Sequence, residues 1–165
     1  MKTIVSLLAA ALSSLSPAMN AAFAQSWTQT GAPITNWSSV ASSADGSKLV
    51  AGIEGGGIYS SSDGGVTWTP SGASIANWTS VASSVDGSKL AAVAPGSGIY
   101  LSTNFGATWD LSSAPGTSDS VASSADGNRL VAGPSLYLST DAGASSHRAD
   151  RRTMALMSST SVTSC

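Results

Sequence analysis

A block of about 40 residues recurs along this chain, and no other feature limits its fold as strongly. Val40, Val81 and Val121 hold matching places, 41 and then 40 residues apart, and Trp68 and Trp109 are again 41 apart. One copy reads Asn36-Trp37-Ser38-Ser39-Val40-Ala41-Ser42-Ser43, then Asp45-Gly46-Ser47-Lys48-Leu49-Val50-Ala51. The next reads Asn77-Trp78-Thr79-Ser80-Val81-Ala82-Ser83-Ser84, then Asp86-Gly87-Ser88-Lys89-Leu90-Ala91-Ala92. A third keeps Ser120 to Ser124 and Asp126-Gly127-Asn128-Arg129-Leu130-Val131-Ala132. A chain of this kind stacks one small unit beside its neighbour.

Turn chemistry divides each unit into four short strands. The first centres on Ser39 to Ser42 and stops at Asp45-Gly46, a strong hairpin signal. The second covers Lys48 to Gly52, and the corner Gly55-Gly56-Gly57 leads into the third, Ile58 to Ser61. An octad then follows, Ser61-Ser62-Asp63-Gly64-Gly65-Val66-Thr67-Trp68, whose second copy runs Ser102 to Trp109 around Asn104 and Gly106. Its third copy, Ser139 to Ser146, keeps Asp141 and Gly143, after which the pattern is lost, with Ser146 where the others have tryptophan. Aspartate accepts bonds from neighbouring backbone N–H groups and glycine tolerates positive φ, so the octad predicts a turn. Phe105 is expected to sit there because its position accepts any side chain, and Val66 to Thr69 to form the fourth strand. No sustained helical period occurs outside the N-terminus, so the expectation is all-β.

The pattern Ser-x-Asp/Asn-x-Gly-x-Thr-Trp, with the unit length, resembles the Asp-box (BNR) repeat of β-propeller proteins. The resemblance covers Trp27 to Ser145 and implies about three four-stranded antiparallel blades. Families that carry it include sialidases, other secreted glycoside hydrolases, sortilin-type receptors and photosystem II assembly factors. In those families the box is a structural turn, so the resemblance implies no catalytic role for Asp63, Gly65, Trp68, Asn104, Gly106, Trp109, Asp141 or Gly143. Rings of this type usually hold about four to eight blades, so three predict an incomplete or open ring. Its bare blade faces predict self-association.

Packing expectations follow from side-chain size. Small residues such as Ala41, Ser42 and Ala51 let sheets approach near an axis, while Trp27, Trp68 and Trp109 are expected to fill the wider gaps between blades. Trp37 and Trp78 recur ahead of the first strand of a unit, where packing and ligand contact at one mouth are both open. Asn36-Trp37-Ser38 and Asn77-Trp78-Thr79 are also glycosylation sequons, meaningful in a eukaryotic secretory host.

Residues 1–24 read as a secretory signal: Lys2 is the charged start, Ile4 to Leu15 the apolar core, and Ala22-Phe23-Ala24 the cleavage site. That run is shorter than the roughly 20 residues a membrane span requires, so no span is expected after cleavage. The mature chain is expected in the periplasm, at the cell surface or outside the cell, with residues 25–145 as repeats. Residues 146–165 shift to Arg, Met, Ser and Thr and read as an aberrant or disordered tail, either natural or left by a frameshift or early stop. The lone Cys165 allows no internal disulfide.

Charge narrows the function. Charged residues are 10% of the chain and the net charge is −2. Lys48, Lys89 and Arg129 are the only cations of the repeat body, too few for a phosphate-binding stripe, so nucleic acid is not an expected partner. Calcium takes about six to eight oxygen ligands, whereas each octad offers one carboxylate or none, so no metal or cofactor is expected. Sialidase-like chemistry, as the resemblance implies it, uses an arginine triad and a Tyr–Glu pair; here Glu54 is the sole glutamate of the chain. Glycosidases generally need two carboxylates across the scissile bond. Asp45, Asp86 and Asp126 recur identically in Asp-Gly turns, which marks scaffold, leaving Glu54 as the non-repeated acid with a possible contact role. The expectation is an exported, non-enzymatic module binding a protein or a glycan; the alternative is a fragment of a secreted sialidase-like glycoside hydrolase lacking its catalytic blades.

Overall fold

The computed structural model describes residues 27–148, so the expected signal segment and most of the tail lie outside the described residues. Three four-stranded antiparallel sheets follow one another along the chain, each a simple up-and-down meander. The first holds β1 (Trp37–Ser42), β2 (Leu49–Ile53), β3 (Ile58–Ser61) and β4 (Thr69–Pro70). The second holds β5 (Ser80–Ser83), β6 (Leu90–Ala94), β7 (Gly98–Ser102) and β8 (Asp110–Leu111). The third holds β9 (Ser120–Ser123), β10 (Leu130–Gly133), β11 (Tyr137–Ser139) and β12 (His147–Arg148). β1 lies beside β5 and β5 beside β9, so the sheets are blades arranged around their first strands.

Alternation along the strands decides what packs where. Val81, Leu90 and Ala92 of the second sheet meet Val50 and Ile58 of the first, together with Trp78. Their neighbours Ala82, Ala91, Val93 and Ile99 point the other way, onto Val121, Leu130 and Ala132 of the third. β6 reads Leu-Ala-Ala-Val-Ala and is buried throughout because it has a sheet on both faces. Small side chains here let the blades approach closely.

The octad turns form as their chemistry predicts. Ser61 Oγ donates to Asp63 Oδ1 at 2.8 Å and accepts from Gly65 N–H at 2.9 Å. The Asp63 carboxylate then accepts Thr67 N–H at 2.9 Å and Thr67 Oγ at 2.6 Å. Trp68 Nε1 caps the Gly65 carbonyl at 3.1 Å. Gly65, Gly106 and Gly143 sit at φ of 91°, 82° and 87°, the left-handed region where a Cβ is strained.

Five expectations need correction. The fourth strand starts at Thr69 instead of Val66, because the N–H of Thr67 and the indole of Trp68 are engaged by the turn. Phe105 does not occupy an indifferent position: its φ is 56°, matching Gly64 at 68°, and a Lys48 Nζ lying 5.5 Å from its ring centroid helps hold it. The third turn is not lost after Gly143, since Ser145 replaces Thr67 and donates its N–H and hydroxyl to Asp141 at 2.9 and 2.6 Å. The third blade passes the expected boundary at Ser145, with Tyr137 and Leu138 pairing Arg148 and His147. Trp27 is 96% exposed and fills no gap between blades.

Candidate functional site

The meander sends its connections to two opposite rims. One rim collects the β1–β2 and β3–β4 turns of each blade. Ser43 Oγ and Ser47 Oγ both donate to the Asp45 carboxylate, at 2.5 and 2.8 Å. The same frame repeats at Asp86 with Ser84 and Ser88, and at Asp126 with Ser124 and Asn128. Ser43, foremost, and then Ser47 hold Asp45 down to a pKa of about 2. The Thr67 hydroxyl, then its N–H, does so for Asp63, and Ser145 for Asp141, both to about 2. Donation from Ser84 and Ser124 lowers Asp86 and Asp126 in the same way. Carboxylates held ionised and saturated with donors are poor general acids. Asn104 takes the same place in the second blade, its Oδ1 accepting Thr108 N–H at 2.9 Å while its Nδ2 donates to Thr108 Oγ1 at 2.9 Å, so the turn requires an acceptor and not a charge.

The other rim carries the β2–β3 corners and the entries into each blade. Glu54 is exposed in its corner, and its N–H donates to the Asn36 carbonyl at 3.4 Å. Ala76 N–H donates to Gly56 C=O at 3.0 Å, which brings the approach to Asn77 against the same corner. Further round, Thr79 Oγ donates to the Asp119 carbonyl at 2.8 Å. The rim therefore gathers the recurring Asn36 and Asn77 and two acids without counterparts in the other blades, Glu54 and Asp119. Sequence reasoning passed over Asp119, although the third copy reads Thr117-Ser118-Asp119 where the others read Asn-Trp-Ser or Asn-Trp-Thr.

The recurring tryptophans diverge in role. Trp78 is 0% exposed, so it has no surface for a ligand; its place is the core between the first two blades. Trp37 is half-buried, edge-on to Tyr59 at 5.5 Å and tilted over Trp68 at 5.8 Å. Its Nε1 donates to the Pro33 carbonyl at 3.1 Å, and its ring lines an open cleft of about 280 Å³ with Gln29, Thr30 and Ile34. Ser118 and Ser146 replace the tryptophans of the third blade, and a small void of about 20 Å³ lies between blades two and three, bordered by Leu101, Leu130, Tyr137 and Ser146. Among the described residues, no group of three or more His, Cys, Asp or Glu side chains is placed to hold a metal ion. No helix among them is long and apolar enough to cross a membrane.

No protein-family model and no curated protein matches the sequence. Solved structures do. The structure described as YCF48 bound to D1 peptide superposes with a TM-score of 0.58 at 15% identity, over 73% of this chain and 42% of that one. The GH74 xyloglucanase from Xanthomonas campestris gives 0.59 at 23% identity, over 79% of this chain and 22% of that one. The Cps50 (Swd1) β-propeller domain of Myceliophteria thermophila gives 0.59 at 15% identity, over 74% and 41%. The chain thus spans less than half the length of each of these structures, and what it shares with them is the fold: three blades of a β-propeller.

Proposed function

We propose that this chain is an exported binding module of the Asp-box type, which presents the rim of Asn36, Glu54, Asn77 and Asp119 to a protein or glycan ligand. The observation that carries this reading is the division of labour between the rims. Every recurring acid is consumed by turn geometry on one side, while the other side bears the non-repeated acids Glu54 and Asp119 beside the recurring Asn36 and Asn77. Repetition builds a scaffold, and departure from repetition is where recognition is placed. YCF48 binds a peptide, and that favours a polypeptide ligand here.

Export is part of the proposal and rests on Lys2, the apolar run and Ala22-Phe23-Ala24; the mature N-terminus found by mass spectrometry should be Gln25. Ligand capture is tested by a glycan array and by peptide-library selection on the purified full chain. Expected binding falls at least tenfold in E54Q/N77A and is unchanged in D45N, on the opposite rim. The second reading, a piece of an exported glycoside hydrolase, is favoured by the likeness to the GH74 xyloglucanase. Further blades bearing several arginines and paired carboxylates in the complete gene would decide for it, and hydrolysis of xyloglucan or an aryl sialoside by the purified chain at an enzyme-like rate would count against the binding module.

A further inference from the structure

The two inter-blade interfaces repeat one set of ties. Val81 N–H donates to Ser39 Oγ at 3.0 Å, and Val121 N–H to Ser80 Oγ at 3.2 Å. Lys48 Nζ donates to the Asp86 carbonyl at 2.9 Å, and Lys89 Nζ to the Asp126 carbonyl at 3.2 Å. Ala44 N–H donates to Val85 C=O at 2.8 Å, and Val85 N–H to Ala125 C=O at 2.7 Å. Each blade therefore offers a serine hydroxyl, a cationic side chain and one N–H to the next. It presents a valine N–H and two carbonyls to the one before.

The unmatched halves of this set sit at the two ends of the arc. The third blade offers Ser120 Oγ, the Arg129 guanidinium and Ala125 N–H; the first presents Val40 N–H and the carbonyls of Ala44 and Asp45. Among the described residues, these groups make no tie of this kind. Apolar matching repeats the pattern. Val40 is 67% exposed, whereas its counterparts Val81 and Val121 are 6% and 8% exposed against a neighbouring blade. At the other end Ala122 is exposed where Ala82 is buried. Arginine in place of lysine keeps the donor and adds reach.

We propose that two copies of this chain associate head to tail, the third blade of each docking on the first blade of the other, and close a six-bladed ring around a twofold axis. A face that matches its partner on another copy, and not itself, makes a heterologous contact, which either closes into a ring or runs on as a filament. Closure at six follows from number: rings hold about four to eight blades, and six is the multiple of three in that range. The second copy adds no new chemistry; it reproduces twice more an interface the chain already forms twice internally.

Sedimentation and light scattering of the purified full chain test this. The expected mass is twice that of one chain. V40R and A122R, each placing a charge on one end face at a residue already exposed, should halve that mass while leaving the circular dichroism spectrum and thermal midpoint of the single chain intact. I75R, at an 80% exposed residue between blades, is the control and should remain at the doubled mass. A single-chain mass across micromolar concentrations, growth into open-ended polymers, or a doubled mass that survives V40R and A122R would each overturn the ring.

Discussion

Trp78 stands edge-on to Tyr100, ring centroids 5.2 Å apart and planes at 79°, with Trp109 tilted behind it at 6.5 Å. This aromatic trio belongs to the second blade and closes the interface with the first. Its counterpart Trp37–Tyr59–Trp68 lies on the free face of the first blade. Truncating the fully buried ring removes both transfer free energy and packing. We expect W78A to cost about 3–5 kcal/mol in urea unfolding, and W37A distinctly less, both measured in the V40R background that keeps the chain single. Equal costs would show that burial between blades is not what Trp78 contributes.

In the third blade the same position holds Ser118, 1% exposed, whose hydroxyl finds no hydrogen-bond partner within the chain. A buried hydroxyl without a partner costs about 1–3 kcal/mol, and alanine leaves almost no extra void. S118A is therefore expected to raise stability by about 1 kcal/mol. A loss on the same unfolding curve would mean that the hydroxyl is satisfied in solution.

The repeats made much of this legible in advance. The spacing of Val40, Val81 and Val121 marks the innermost strands, and each Asp-Gly pair marks the hairpin that follows. What escaped was set by side-chain bonding that repetition alone does not reveal. Trp68 reads as a strand residue by propensity, yet its indole is committed to the Gly65 carbonyl. Ser145 reads as a broken motif, yet a serine hydroxyl serves Asp141 as threonine serves Asp63. Trp37 and Trp78 are alike in sequence, and only the presence of a preceding blade separates a half-exposed ring from a buried one.

Close backbone approach explains another recurring residue. Gly31 N–H donates to the Gly65 carbonyl at 3.1 Å, and Gly72 N–H to Gly106 at 3.0 Å, which pins each incoming segment to the turn of the blade it enters. A Cβ on Gly72 would fall 2.4 Å from the Ala107 carbonyl oxygen, and backbone there has little room to yield. We expect G72A to destabilise by about 1–3 kcal/mol, measured by chemical denaturation. Ser113, in the corresponding place of the third unit, is exposed, and S113A should be neutral within error. Neutrality of G72A would show that the incoming segment is free to move off the turn.

The turn carboxylates set how the fold responds to acid. Asp45, Asp63 and Asp141 are each held at about 2 against an ordinary value of 3.8, and Asp86 and Asp126 are shifted the same way. The folded chain therefore binds fewer protons than the unfolded chain through this range, so stability falls as pH falls. The contribution is complete above about pH 4 and is lost progressively as pH drops towards 2. Thermal midpoints should be level from pH 7 to pH 5 with respect to these groups and decline below pH 4. D63N keeps the acceptor oxygen, as Asn104 does at its own turn, and removes one titrating group. Its midpoint at pH 7 should lie near that of the parent chain, and its decline between pH 4 and 2 should be shallower. A D63N profile parallel to the parent's in acid would show that the Thr67 and Ser61 hydrogen bonds to this carboxylate do not stabilise its ionised form.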